Sequence, residues 1–118
     1  LIEIGKNYGW PTIRGNQKGE SMEQAILQSG QETWAPAGAV FVNGSIFFGG
    51  LRGQALFQAR LEGNSAVLST HFKERFGRIR DVILGPDGFL YISTSNRDGR
   101  GKPTSGDDKI IRINPDQF

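Results

Sequence analysis

The chain has no cysteine, no long apolar run and no cluster of basic residues, and each absence excludes a class of protein. Without cysteine, neither a disulfide nor a thiolate metal site can form. No stretch of 18 or more apolar residues occurs, so no membrane-spanning helix is expected. The net charge is only +2 and no Lys/Arg run is present, so we expect no nucleic-acid surface.

Glycine, by contrast, is abundant, with 17 in 118 residues. The glycines stand in turn-like contexts such as "NYG", "VNG", "LEGN", "PDG" and "RDGRG". Turn signals at this spacing predict many short strands, and therefore an all-β chain.

The strand pattern is regular from residue 37 onward. "AGAVFV" and "IFFGGL" flank Asn43-Gly44, which is the strongest hairpin signal in the chain. "QALFQARL" and "SAVLSTHFK" follow, which completes four strands. The order then repeats with "IRDVILG", "FLYISTS" and "KIIRINP", which gives three more strands.

The first 36 residues are less regular. "LIEI" is compatible with a strand, and "GKNYGWP" predicts a turn because Asn and Gly tolerate positive φ. "SMEQAILQ" is a candidate short helix that Ser21 would cap.

Four-stranded units of roughly 40–45 residues are typical of β-propeller blades. We predict the end of a preceding blade plus a connecting loop at 1–36, a blade at 37–76, and a final, incomplete blade of three strands at 77–118. Two blades leave apolar faces and strand edges open, so we expect either that copies of the chain associate with one another or that the chain has lost the blades that surround it.

Two arginines stand out in "FGRIRDVILG". Arg78 and Arg80 are two residues apart in a predicted strand, so their side chains are expected on one face. Two such cations repel each other unless an anion lies between them, and the guanidinium fork suits a carboxylate. The anion could be a flat polycarboxylate ligand. Alternatively, the arginines pair with Asp81, with Glu74 or with an acid of a neighbouring blade.

Other residues with chemical potential have structural interpretations. His71 is the only histidine, and its context "LSTHFKE" predicts an outer strand and a surface or interblade position. Asp98, Asp107 and Asp108 lie in a Gly-rich loop, and oxygen-rich loops can hold Ca²⁺. Their spacing is not that of an EF-hand, so Asx turns and strand capping are favoured.

Four strings together resemble the C-terminal part of a known family. "GKNYGWP", "APAGAVFV", "GGLRGQALFQARLEG" and "GRIRDVILGPDGFLYISTSNRDG" are similar to the soluble PQQ-dependent sugar dehydrogenases, the glucose/sorbosone dehydrogenase family. "STSNRDGRG" and "GDDKI" resemble the aldose sugar dehydrogenases of archaeal type. The resemblance covers nearly the whole chain and implies about two four-stranded blades of a six-bladed parent.

The resemblance also implies site residues. In the family, the two arginines of the R-x-R-D string hold the carboxylates of pyrroloquinoline quinone (PQQ), which corresponds to Arg78 and Arg80. Arg52 matches a basic residue, often Lys, that contacts the quinone edge. Thr33 matches a threonine that lines the cofactor pocket. Trp34 could line the pocket or belong to the blade core, and the core is favoured.

Other parts of the family's site are expected upstream of Leu1. These are the catalytic histidine, its Asp partner and the Gly-Pro carbonyls that hold Ca²⁺. The chain is therefore expected to contain no catalytic residue and no metal ligand, and to be inactive alone. Ser95 stands where many family members have Asp, which weakens any pocket role at that position.

The resemblance implies that the parent enzyme oxidises aldoses to lactones with PQQ and Ca²⁺ and passes the electrons to an acceptor. It also implies a periplasmic or extracellular location. Two alternatives remain open at this point: a propeller piece of a Ca²⁺-dependent, lactonase-like hydrolase, and a non-catalytic assembly module. The lactonase interpretation predicts Glu, Asn and Asp metal ligands and requires no paired arginines.

Overall fold

The computed structural model describes residues 2–118 and contains two antiparallel β-sheets. The first sheet has four strands in sequential order: β1 (Pro36–Val42), β2 (Ser45–Gly50), β3 (Ala55–Glu62) and β4 (Ser65–His71). The second has three: β5 (Ile79–Leu84), β6 (Leu90–Thr94) and β7 (Ile110–Ile113). A short 3₁₀ turn follows at Pro115–Gln117. The predicted all-β fold is confirmed, and each sheet has the sequential antiparallel order of a propeller blade.

The Asn43-Gly44 hairpin is confirmed. Both residues have positive φ, 49° and 75°, as a two-residue turn between twisted strands requires. The turn places Val42 opposite Ser45 and so fixes the register of β1 on β2.

The core lies between the two sheets, where the first strand of the second sheet packs against β1 and β2. Gly49 permits this approach, because a Cβ there would lie 2.8 Å from the carbonyl oxygen of Ile79. The buried apolar side chains of this core are Val42, Phe47, Leu56, Ile79, Val82, Leu90, Ile92 and Ile113.

The predicted helix at "SMEQAILQ" is wrong. Ser21 has a φ of 58°, which is not the extended conformation of a helix cap. The Met22 amide closes a turn onto the carbonyl of Gly19 at 3.2 Å, and Met22 forms an isolated parallel bridge with Asn7. Turn and bridge hydrogen bonds therefore replace the helical ones. The "LIEI" strand is also wrong for residues 2–4, and Leu1 lies outside the described residues.

The part of the chain that the structure describes contains no helix long and apolar enough to cross a membrane.

Candidate functional site

The two arginines of the R-x-R-D string converge on one carboxylate. Oδ2 of Asp98 accepts hydrogen bonds from Nε and Nη2 of Arg78, at 3.2 and 2.9 Å, and from Nη2 of Arg80, at 2.9 Å. The predicted meeting of the two side chains is therefore present in the structure. The anion is thus an acid of this chain, as the alternative interpretation expected, although it is Asp98 and neither Asp81 nor Glu74.

The two arginines flank Ile79, which is buried in the core, so strand alternation puts both of their side chains on the side away from the core. Arg78 precedes β5, and the pairing of β5 with β6 shifts its register between Ile79 and Asp81. Arg80 is the residue at that shift. The irregularity changes the alternation after Arg80, because Asp81 is exposed as well and the next buried residue is Val82.

Asp98 is held firmly by these contacts. Its Oδ2 also accepts from the Ser95 hydroxyl at 3.2 Å, and its Oδ1 accepts from the amide of Arg100 at 3.0 Å in an Asx turn. The Arg78 hydrogen bond, followed by that of the Arg100 amide, lowers the pKa of Asp98 to about 2. The carboxylate is therefore ionised at neutral pH.

The two arginines differ in how much they are enclosed. The side chain of Arg78 is 11% exposed, and its Nη1 donates to the carbonyl of Leu51 at 3.1 Å. The side chain of Arg80 is 48% exposed, and its Nη2 also donates to the Ser95 hydroxyl at 3.1 Å. Ser95 therefore contacts the arginine pair although it departs from the family's acid.

Sequence reasoning missed Asn96, which fixes the backbone that leads into the arginine pair. Its side chain is buried; Oδ1 accepts from the Arg78 amide at 2.8 Å, and Nδ2 donates to the Phe76 carbonyl at 2.9 Å. A Cβ on Gly77 would collide with this side chain. The available signal was the Gly-Arg pair that leads into β5 and an Asn two residues after the end of its partner strand β6.

A cavity of about 550 Å³ adjoins the arginine pair. Arg52, Arg78, Arg100 and Lys102 line it together with one acid, Glu74. The cavity is therefore strongly positive, which favours an anionic ligand. Arg80 contacts the same Asp98 but does not line this cavity.

Thr33 and Arg52 belong to neighbouring backbone segments. The Trp34 carbonyl accepts from the Arg52 amide at 3.2 Å, so Thr33 lies one residue from that contact. Thr33 is exposed and does not line the cavity. Trp34 packs against Phe57, with ring centroids 5.1 Å apart, as the core interpretation predicts.

His71 lies on β4, the outer strand of the first sheet, as predicted. Its Nε2 is 3.0 Å from Oε1 of Gln58, and its ring lies 4.0 Å from the ring of Phe118. Partial burial lowers the pKa of His71. The histidine is therefore part of side-chain packing on the sheet and lies outside the arginine site.

Of the three loop acids, Asp107 and Asp108 act as turn and capping residues, as predicted, whereas Asp98 also holds the arginine pair, which was not predicted. Asp107 Oδ2 accepts from the Thr104 amide, and its Oδ1 accepts from Lys109 Nζ, both at 2.7 Å. The Lys109 contact holds the pKa of Asp107 well below its usual range. Asp108 Oδ1 accepts from the Asn96 amide. Within residues 2–118, no group of three or more Asp, Glu or His side chains is arranged to hold a metal ion.

Comparison with known proteins places the chain among sugar dehydrogenases. The sequence profile of the Glucose / Sorbosone dehydrogenase family matches residues 1–112. An uncharacterized protein of Synechocystis is 32% identical over 85% of this chain and 29% of that protein. The aldose sugar dehydrogenase YliI of Escherichia coli is 31% identical over 84% of this chain and 32% of that enzyme.

Solved structures agree with this. The PQQ-bound aldose sugar dehydrogenase of Streptomyces coelicolor matches 96% of this chain with a TM-score of 0.86 and 34% identity. An oxidoreductase of Thermus thermophilus, described as a glucose dehydrogenase, matches 96% with a TM-score of 0.85 and 40% identity. The chain spans about a third of the length of these relatives. The chain therefore belongs to the glucose/sorbosone dehydrogenase family.

Proposed function

We propose that this chain supplies the part of a PQQ-dependent sugar dehydrogenase that holds the carboxylates of the cofactor. The observation that carries the proposal is the convergence of Arg78 and Arg80 beside a cation-lined cavity. The aldose sugar dehydrogenase of Streptomyces coelicolor, which this chain resembles, binds the same cofactor. The arginine pair favours this function over a lactonase, which requires metal-ligating acids and no paired arginines.

The donors present fit a planar polycarboxylate. Among the described residues, the side chain of Arg80 donates only through Nη2, so its Nε and Nη1 are left for a ligand carboxylate. Asp98 holds both Arg78 and Arg80, and Arg78 is anchored in addition by the carbonyl of Leu51. Asp98 cancels one of the two arginine charges, so the pair keeps a net positive charge at neutral pH.

These residues would bind and orient but would not transfer protons. When bound, PQQ supplies the two-electron oxidising chemistry that the conversion of an aldose to a lactone requires. Arg52 would place a cation where negative charge develops during reduction. Thr33 would stand beside Arg52 at the pocket edge. The general base, and Ca²⁺ with its ligands, would come from other parts of the enzyme.

We further propose that residues 37–76 and 77–118 are adjacent blades and that residues 1–36 are the end of a preceding blade with its connecting loop. Under this arrangement, neighbouring blades would cover the outer faces of the two sheets, and the isolated chain lacks those neighbours. We therefore propose that copies of the chain self-associate. We also propose that the parent enzyme works in the periplasm or outside the cell and passes electrons to an acceptor. Analytical ultracentrifugation tests the association, and a monomer would contradict it.

The function is tested by titrating the purified chain with PQQ, with and without Ca²⁺, and comparing wild type with the Arg80→Gln variant. Arg80 is half-exposed, so Arg80→Gln is expected to fold, which circular dichroism verifies. Arg60→Gln is the matched control, because Arg60 is also exposed and also forms an ion pair, with Glu62. We expect PQQ binding to be weakened by Arg80→Gln and unchanged by Arg60→Gln. Equal binding by all three proteins would contradict the proposal.

We expect no dehydrogenase activity from the chain alone, because under this proposal the general base comes from another part of the enzyme. The assay is glucose oxidation with PQQ, Ca²⁺ and a dye acceptor. Turnover above the rate of free PQQ would show that this part of the proposal is wrong.

A further inference from the structure

The cavity beside the arginine pair contains more positive charge than Arg78 and Arg52 provide. Arg100 and Lys102, on the glycine-rich loop between β6 and β7, line it as well. Within residues 2–118, Arg52, Arg100 and Lys102 form no ion pair with any acid. Three unpaired cations and the buried Arg78 thus face one concave space, against the single acid Glu74.

The loop that carries these two cations is anchored to the arginine site. The Arg100 amide donates to Oδ1 of Asp98, whose Oδ2 holds both arginines of the pair. Gly101 packs against the backbone of Asn96 so closely that a Cβ would lie 2.6 Å from the Asn96 Cα. The backbone between Arg100 and Lys102 is therefore fixed on the residue that also holds the Arg78 amide.

Like charges gathered in one cavity repel each other, and the repulsion is relieved when a multiply charged anion binds. A loop that served only as a strand connection would not need two cations on the cavity side. Of the acids on the same loop, Asp107 pairs with Lys109 and Asp108 accepts from the Asn96 amide, while Asp98 is shared by Arg78 and Arg80.

We propose that Arg100 and Lys102 form a second cationic wall of this cavity, which binds the carboxylates of a planar polyanion that the Arg78/Arg80 pair does not reach. The identity of the ligand as PQQ rests on the proposed function, whereas the recognition of a planar polycarboxylate rests on the charge of the cavity alone. The wall makes the site selective for a ligand with several carboxylates over one with a single carboxylate.

The test uses two ligands and two matched double variants. Trimesate, a planar benzene tricarboxylate without a quinone, probes polyanion recognition, and PQQ probes the cofactor role. Arg100→Gln/Lys102→Gln removes the wall. Arg14→Gln/Lys18→Gln removes the same charge from two residues that do not line the cavity. Binding is measured by calorimetry at low and at physiological salt, because exposed charges are screened.

We expect the wall variant to weaken trimesate and PQQ binding by about 3- to 30-fold, the range for two partly screened contacts, and to reduce the salt dependence. The control variant is expected to change either affinity by less than about twofold. Equal effects of the two double variants, or no trimesate binding by wild type, would overturn the inference. Trimesate binding lost in the wall variant, together with no PQQ binding by wild type, would support the inference and contradict the proposed cofactor.

Discussion

Replacing Asn96 with alanine tests how the site is built. In the native chain, the buried Asn96 side chain is hydrogen-bonded to the Arg78 amide at 2.8 Å and to the Phe76 carbonyl at 2.9 Å. Asn96→Ala leaves both backbone groups without these partners. Each unpaired buried group costs about 1–3 kcal/mol, so we expect the free energy of unfolding to fall by about 2–6 kcal/mol.

Urea denaturation measures this change. With a slope of the unfolding free energy of about 2 kcal/mol per molar urea, the midpoint is expected to fall by roughly 1–3 M. Asn64→Ala is the matched control: Asn64 is exposed in the turn between β3 and β4, and its replacement should change stability by less than about 0.5 kcal/mol.

Hydrogen exchange gives a second and local measurement. The Arg78 amide should exchange faster in Asn96→Ala than in wild type under native conditions, because its acceptor is gone. The reasoning would be refuted if the urea midpoint of Asn96→Ala lay within about 0.3 M of that of Asn64→Ala and the exchange rate of the Arg78 amide were unchanged.

Three further predictions concern the core and the ion pairs. Leu56→Ala should lower the free energy of unfolding by about 2–5 kcal/mol in a denaturant titration, because Leu56 is fully buried. Leu61→Ala, which shortens an exposed side chain of the same strand, should lower it much less. Equal losses of stability would contradict the assigned register. Gly49→Ala should cost about 1–3 kcal/mol by the same measurement, because its Cβ would press on the Ile79 carbonyl; an unchanged midpoint would mean that the sheets are farther apart. Since the pKa of Asp98 is lowered to about 2, its contribution to stability is present above the ordinary carboxyl pKa and is lost as the pH falls through about 2; NMR titration of its carboxyl carbon checks this, and a midpoint near 4 would contradict the arginine contacts.

The strands could be predicted from the sequence because turn signals and apolar runs are local. Asn43-Gly44 fixes its hairpin by backbone conformation alone, so the pairing of β1 with β2 was readable from the sequence. The "SMEQAILQ" segment shows the opposite case. Its helical pattern is overridden by a turn at Gly19 and by the bridge from Met22 to Asn7, which is a contact between distant segments.

The site was predictable only in part. The residues of the R-x-R-D string were identifiable, because two cations so close together require an anion. The anion that they contact, Asp98, lies in a loop 18 residues after Arg80. Strand periodicity does not predict that this loop returns to the arginines. The register shift at Arg80 and the buried Asn96 likewise follow from tertiary pairing.

The most direct test of the central claim is NMR observation of the arginine Nε–Hε groups while PQQ is added. If Arg78 and Arg80 hold the carboxylates of PQQ and Arg52 contacts its quinone edge, the resonances of all three should shift with a common saturation curve. The resonance of Arg14, which is exposed and does not line the cavity, should stay in place. Saturable shifts confined to the site arginines are the result we predict. Unchanged site resonances, or equal shifts at Arg14, would contradict the account.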